Sequence, residues 1–181
     1  MKSIVIYFSR VDENYFGGAM KYITKGNTEV IAEYIKDLTG ADLFKVERKI
    51  DYAADYKKCI EEAKEEQRKG ELPELKNYLD SISDYDVIYI GGPIYWGTLP
   101  QPMFTELSRL DFKGKTIMPF STHEGSGLGS VVRDLKKICV GANVKEGLAI
   151  VGSQVNSSKS KVEKWIKESC WWNTKRDMFI N

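Results

Sequence analysis

The chain is poor in the residues that build metal and disulfide sites. It holds one histidine, His123, and three cysteines, Cys59, Cys139 and Cys170, among 181 residues. One histidine excludes a His-rich metal centre. Three widely spaced cysteines give neither a zinc pattern nor a C-x-x-C redox pair, and they read as free thiols of a reducing compartment. No apolar run approaches the roughly 20 residues that span a bilayer. The apolar start Ile4–Phe8 is too short for a secretory signal, and no small-residue cleavage pattern follows it before Arg10 and Asp12, so a cytoplasmic location is expected. Net charge is +1, acidic in the first half and basic in the second, with no basic stripe interleaved with aromatics. Nucleic-acid binding therefore has no footprint here. Neither G-x-G-x-x-G nor G-x-x-x-x-G-K-[ST] occurs, which argues against NAD and ATP.

What is present is an alternation of strand and helix patterns over one expected domain, 1–181. Residues 3–8, 41–47, 86–92, 115–121 and 143–151 read as strands, the last bent at Gly147. Residues 28–39, 55–69, 103–110, 131–139 and 159–170 read as helices; Val30, Ile31, Tyr34, Ile35 and Leu38 line one face of the first. Such alternation predicts an α/β fold, a parallel sheet covered on both faces in a three-layer sandwich. The stretch 10–25 is long for a strand-to-helix connection and reads as a loop. Trp171-Trp172 reads as a packing or self-association patch.

In sheets of this kind, ligands bind beyond the carboxyl ends of the strands where the winding reverses. Three distinctive loops leave those ends. In the first, Gly26-Asn27-Thr28 opens a helix whose leading amides suit a phosphate, with hydroxyls from Ser9 and Thr28 nearby. The same residues also read as an ordinary N-cap. The second, Pro93-Ile94-Tyr95-Trp96-Gly97, carries two aromatics, and Trp96 either stacks on a flat ligand or packs on a neighbouring loop. The third, Ser121-Thr122-His123-Glu124-Gly125-Ser126-Gly127, brings backbone amides toward a ligand edge. There His123 reads either as a hydrogen-bond or proton donor or as a residue that orients the loop.

Taken with Ile4–Ser9, these segments resemble the flavodoxin family over residues 3–166. The resemblance implies a five-stranded parallel sheet of order 2-1-3-4-5, the order for which flavodoxin is a standard example, and noncovalent FMN as a one- or two-electron carrier. By position it implies phosphate contacts from Ser9, Asn27 and Thr28. It implies ring contacts from Pro93, Ile94, Tyr95, Trp96 and Gly97, and contacts to the pyrimidine side from Ser121, Thr122, His123, Gly125, Ser126 and Gly127. Where the chain departs from the family, its long first loop implies that Arg10, or the aromatics Tyr15 and Phe16, reach the cofactor or cover it. The third loop offers His123 in place of a second stacking aromatic. The near-neutral charge weakens steering toward basic partners. The expected function is an electron shuttle between transient redox protein partners. The alternatives are an FMN-dependent NAD(P)H:quinone-type reductase and a cofactor-free binding or regulatory module on the same fold. Neither nucleic-acid nor membrane partners are expected, and the sequence leaves the oligomeric state open.

Overall fold

A computed structural model describes the backbone of residues 1–177 and the side chains up to residue 169. Cys170 and the Trp171-Trp172 pair expected as a patch lie outside the described side chains. Eight strands and five helices follow in chain order: β1 (Ser3–Tyr7), β2 (Asp12–Phe16), β3 (Ala19–Ile23), α1 (Asn27–Thr39), β4 (Asp42–Lys45), α2 (Tyr56–Lys69), β5 (Val87–Pro93), α3 (Gln101–Leu107), β6 (Thr116–His123), α4 (Val131–Ile138), β7 (Asn143–Val144), β8 (Leu148–Val151) and α5 (Lys159–Asp177), with a 3-10 helix at Gly152–Ser157.

The main sheet runs β4-β1-β5-β6, and β6 then pairs with both β7 and β8. All these pairs are parallel. The five expected strands therefore stand in the order 2-1-3-4-5, with the fifth split in two. The split has a local cause. β6 pairs β7 at Thr116 and Ile117 and β8 from Phe120 onward. Between them lies Pro119, which has no N–H to offer a neighbour. Gly147 passes close above it, where a Cβ would sit 3.3 Å from the Pro119 carbonyl oxygen and 2.8 Å from Leu128.

Strand periodicity sorts the core into two clusters. Val5 and Tyr7 face α1 and α5, where Ile31, Ile35, Phe120, Val162 and Trp165 are buried with them. Ile4, Ile6 and Phe8 face the layer of α2, α3 and α4, with Met103, Leu107 and Leu135. The result is the three-layer arrangement expected, and every strand of the main sheet delivers its carboxyl end to the same edge.

One element was not foreseen. The expected loop 10–25 folds into an antiparallel hairpin, β2 against β3, which is a separate two-stranded sheet. Gly17 and Gly18 turn it at φ 59° and 89°, the left-handed pair that a two-residue hairpin turn requires.

Candidate functional site

The first loop closes tightly at its glycine. Gly26 has ordinary extended dihedrals, φ −70° and ψ 147°, so its conformation does not require glycine. Space does: a Cβ there would lie 2.1 Å from Ser9 Oγ, 2.6 Å from the Arg10 carbonyl oxygen and 3.0 Å from the Arg10 nitrogen. The glycine lets the start of α1 press onto the end of β1. Gly26 is also the N-cap, and no side chain caps the helix. The ordinary N-cap reading by Asn27 or Thr28 is therefore not what this helix uses. Of the amides that open α1, Glu29 N–H donates to Ser9 Oγ (3.0 Å) and Val30 N–H reaches the Gly26 carbonyl (3.3 Å). Those of Asn27 and Thr28 are left at the helix mouth without a capping side chain, where the dipole favours an anion.

The three expected loops meet at this edge and brace one another. Thr28 Oγ1 and Thr122 Oγ1 share a buried hydrogen bond of 2.8 Å, joining the first loop to the third. Ile94 N–H donates to the Thr122 carbonyl (3.2 Å), joining the second to the third. Ser121 Oγ donates to the Gly127 carbonyl (2.9 Å) and folds the third loop on itself. Both strands run further into the loops than the sequence indicates: β5 reaches Pro93 and β6 reaches His123.

In the second loop, Trp96 and Gly97 occupy a tight turn with reciprocal bonds between Tyr95 and Thr98, 2.8 Å and 3.2 Å. Trp96 holds φ 50° and Gly97 φ 87°. A tryptophan in the left-handed region is uncommon and costs strain, which persists only where surroundings over-determine it. Those surroundings are visible. The indole Nε1 donates to the Ile60 carbonyl of α2 (2.7 Å), Lys64 Nζ lies 4.9 Å from the ring centroid, and the residue is still 48% exposed. Trp96 thus packs on α2, a neighbour not named by the sequence reading, while keeping surface open. Tyr95 turns inward instead, edge-on to Phe8 and Tyr52 at 6.1 Å and 5.9 Å. Ile94 packs against the same core cluster. For these two residues the backbone, more than the side chain, faces the site.

His123 Nδ1 accepts from Gly125 N–H (2.9 Å), which leaves Nε2–H as its donor. Burial pushes the imidazole below its usual range, with the neighbouring Glu124 opposing and Lys161 reinforcing. At neutral pH the group is a neutral hydrogen-bond donor and orients its loop. A role as imidazolium proton donor is disfavoured.

Arg10 is only 9% exposed. Its Nε and Nη2 donate to the carbonyls of Glu13, Ala53 and Ala54 at 2.9–3.4 Å. It staples the hairpin to the segment before α2, where Glu13 Oε2 also accepts from Tyr56 N–H (2.9 Å). Tyr15 is exposed on the hairpin.

Sequence reasoning missed the braces that tie the three motifs to the rest of the chain. Glu124 accepts from Gly17 N–H at the hairpin tip (3.3 Å) and from Ser153 N–H (2.8 Å). The hairpin therefore runs from the α2 side to the third loop. Ser130 N–H donates to the Gly97 carbonyl (2.7 Å). Asp134 receives Thr98 Oγ1 at 2.7 Å and Ser130 Oγ at 2.5 Å. Burial pushes the Asp134 carboxyl up, but these hydrogen bonds and Arg133 outweigh it and hold the group below the usual carboxylate range. Glu124 lies in the third motif with no role read for it there, and no sequence motif marks Ser130 or Asp134. Only the Gly-Gly pair at 17–18 was a usable hairpin signal.

Among the described residues, no cluster of His, Cys, Asp or Glu could hold a metal ion, and no helix is long and apolar enough to cross a membrane. The arrangement offers a dianion a helix mouth and offers a planar ligand the adjoining backbone of the second and third loops.

Comparison with known proteins gives a consistent picture. A family model described as Flavodoxin matches residues 19–169. No curated protein matches the chain. Among solved structures, a flavoprotein from Bacteroides uniformis is similar at 26% identity and TM-score 0.71, over 92% of this chain and 97% of its own. One from Bacteroides eggerthii has 27% identity and TM-score 0.67, over 89% and 97%. A Lactobacillus acidophilus flavoprotein, solved in complex with FMN, shares the fold at 20% identity and TM-score 0.59, over 86% and 97%.

Proposed function

The chain belongs to the flavodoxin family, and on that premise we propose that it binds FMN noncovalently and carries electrons through it. The observation that carries this reading is the first loop. A side-chain-free N-cap, at a glycine whose Cβ position is crowded by Ser9 Oγ and the Arg10 carbonyl, leaves the amides of Asn27 and Thr28 at a helix mouth, the geometry that binds phosphate. Ser9 Oγ already accepts from Glu29 N–H, so its own hydrogen is available to a phosphate oxygen. The backbone of Pro93–Gly97 and the open surface of Trp96 would hold the ring. Thr122, the Nε2–H of His123 and the amides of Gly125, Ser126 and Gly127 would meet its pyrimidine side. When bound, FMN supplies one- and two-electron chemistry; the protein supplies placement, shielding from water and nearby charge.

The partners in this reading are redox proteins of the cytoplasm that dock transiently. With a net charge of +1, their association is expected to depend only weakly on salt. A direct reduction of a small acceptor is the second reading, favoured by a cavity beside the second loop.

The test is paired titration of the cofactor-free protein with FMN and with riboflavin, which lacks the phosphate. Asn27→Ala with Thr28→Ala is expected to weaken FMN far more than riboflavin, and equal losses refute the phosphate assignment. Trp96→Ala is expected to weaken both ligands by about 1–3 kcal/mol, the scale of an aromatic hot spot. Trp96→Phe, which keeps a ring but loses the Ile60 hydrogen bond, separates stacking from tethering. Protein that takes up neither ligand would mean a cofactor-free module. NAD(P)H oxidation by quinone without an added reductase would favour the second reading.

A further inference from the structure

The Trp96–Gly97 turn is where the ring site carries backbone strain, with Trp96 at φ 50°. It borders a cavity of about 300 Å³ that Trp96, Gly97 and Ser126 line. Two helices anchor the turn from opposite sides. From α2, the Ile60 carbonyl accepts the indole N–H (2.7 Å) and Gln67 Nε2 reaches the Trp96 carbonyl (3.4 Å). From the start of α4, Ser130 N–H donates to the Gly97 carbonyl (2.7 Å) and Asp134 accepts the Thr98 hydroxyl (2.7 Å). The chain entering α4 presses on the turn as closely as glycine permits: a Cβ on Gly129 would lie 2.2 Å from the Gly97 carbonyl oxygen.

Asp134 stands behind both α4 anchors. Its Oδ2 accepts the Ser130 hydroxyl (2.5 Å) as well as that of Thr98, and its Oδ1 accepts from Arg133 Nε (3.1 Å). The bond to Ser130 is local and is the usual way an acid in a first turn steadies a helix start. The bond to Thr98 serves no such purpose, for it crosses 36 residues to the far end of the strained turn. Thr98 is 8% exposed and the Asp134 side chain 19%, so water competes little for these bonds. A carboxylate acceptor makes them about twice as strong as neutral ones. Strain of this kind persists only where the surroundings over-determine the backbone. Asp134 lies at the junction of the α4 half of those surroundings, and neither it nor Thr98 lines the cavity.

We propose that Asp134 is the positioning residue of the flavin ring site. Through Thr98 and Ser130 it holds the Trp96–Gly97 turn in its left-handed form, and so keeps the open surface of Trp96 presented to the ring without touching the ring itself. The proposal rests on the FMN reading for its ligand. The coupling of Asp134 to the turn is a property of the protein alone.

The experiment has two arms, and the first needs no ligand. Thr98→Val keeps the shape of the side chain, loses its hydroxyl and leaves the Ser130–Asp134 bond in place. In the cofactor-free variant, amide hydrogen exchange at Tyr95 and Ser130 is expected to quicken about tenfold, the equivalent of one hydrogen bond to a charged group, while the core strands exchange as before. Asp134→Ala is expected to do the same. The second arm titrates FMN and riboflavin. Thr98→Val is expected to weaken both by one common factor of about five, the low end of an aromatic hot spot, and Thr98→Ser to restore both. In a Trp96→Ala background, Thr98→Val is expected to cost almost nothing more, because its effect passes through the indole. Unchanged exchange overturns the proposal, and so does a flavin affinity that survives Thr98→Val in otherwise unmodified protein. A loss confined to FMN, or one that persists in full without the indole, overturns it too. Unmodified protein that takes up neither flavin sinks the cofactor reading and this proposal with it, whereas uptake indifferent to Thr98→Val sinks the proposal alone.

Discussion

Gly26→Ala is the sharpest test of how the site is built. At φ −70° and ψ 147° alanine fits the backbone without strain, so any cost is steric. The new methyl would stand 2.1 Å from Ser9 Oγ and 2.6 Å from the Arg10 carbonyl oxygen. The first contact can be relieved by rotating the Ser9 side chain, which sacrifices its hydrogen bond from Glu29 N–H. The second is backbone against methyl, and only moving α1 or the end of β1 relieves it. Overpacking of this kind costs about 2–3 kcal/mol. For a chain of this length that lowers the melting temperature by roughly 5–10 °C. Ser9→Ala in the same background removes the first contact but not the second, so the double variant is expected to recover only part of the loss. Thermal melts of the wild type, both single variants and the double variant close the cycle. An unchanged melting temperature for Gly26→Ala, or full recovery in the double variant, would show that the backbone approach is not what excludes a side chain.

Three further outcomes follow from other parts of the molecule. Glu124→Ala is expected to free the amides of Gly17 and Ser153, read as faster hydrogen exchange at both positions and little change in the core strands; unchanged exchange at Gly17 would mean the hairpin tip is held by something else. Burial pushes the Cys139 thiol up to about 12 and raises Cys59 also, so at pH 8 no more than one of the three thiols is expected to react with a disulfide reagent before unfolding, and two fast thiols would contradict it. Glu106 is fully buried with Oε1 accepting from Leu79 N–H (2.9 Å) and Oε2 without a hydrogen-bond partner; burial raises its carboxyl, opposed by that hydrogen bond and by Arg109. The folded state therefore binds a proton that the unfolded chain has already released, and stability falls as pH rises above the ordinary carboxylate range. Urea midpoints for Glu106→Gln are expected to lose that decline, and parallel curves for both proteins would refute it.

The sheet was legible because its residues obey local rules. Ile4, Ile6 and Phe8 against Val5 and Tyr7 is a period of two, and Val30, Ile31, Tyr34, Ile35 and Leu38 is a helical stripe; both survive into the core clusters. The hairpin was less legible because its strands bury little: β3 is exposed at four of its five residues, so no apolar period marks it. What holds it is polar and distant in sequence, Arg10 to Ala53 and Ala54 and Glu124 to Gly17. A side chain that serves a carbonyl 44 residues away leaves no trace in local patterning. Trp96 shows the same limit. Its type and loop were readable, but its bond to the Ile60 carbonyl depends on where α2 comes to rest.

These distant bonds also explain why a site made of three loops can be rigid. Thr28 binds Thr122, Ile94 binds the carbonyl of Thr122, and Ser130 grips Gly97 through its N–H. Asp134 then fixes Ser130 and Thr98 together. Each loop is thus held by at least one other part of the site, and the hairpin is clasped at both ends. A ligand entering such a site orders few side chains and loses correspondingly little affinity to entropy. The strained Trp96 turn fits this scheme. Its left-handed backbone can be maintained because the Gly97 carbonyl, the indole nitrogen and the Thr98 hydroxyl are each bonded to a residue outside the turn.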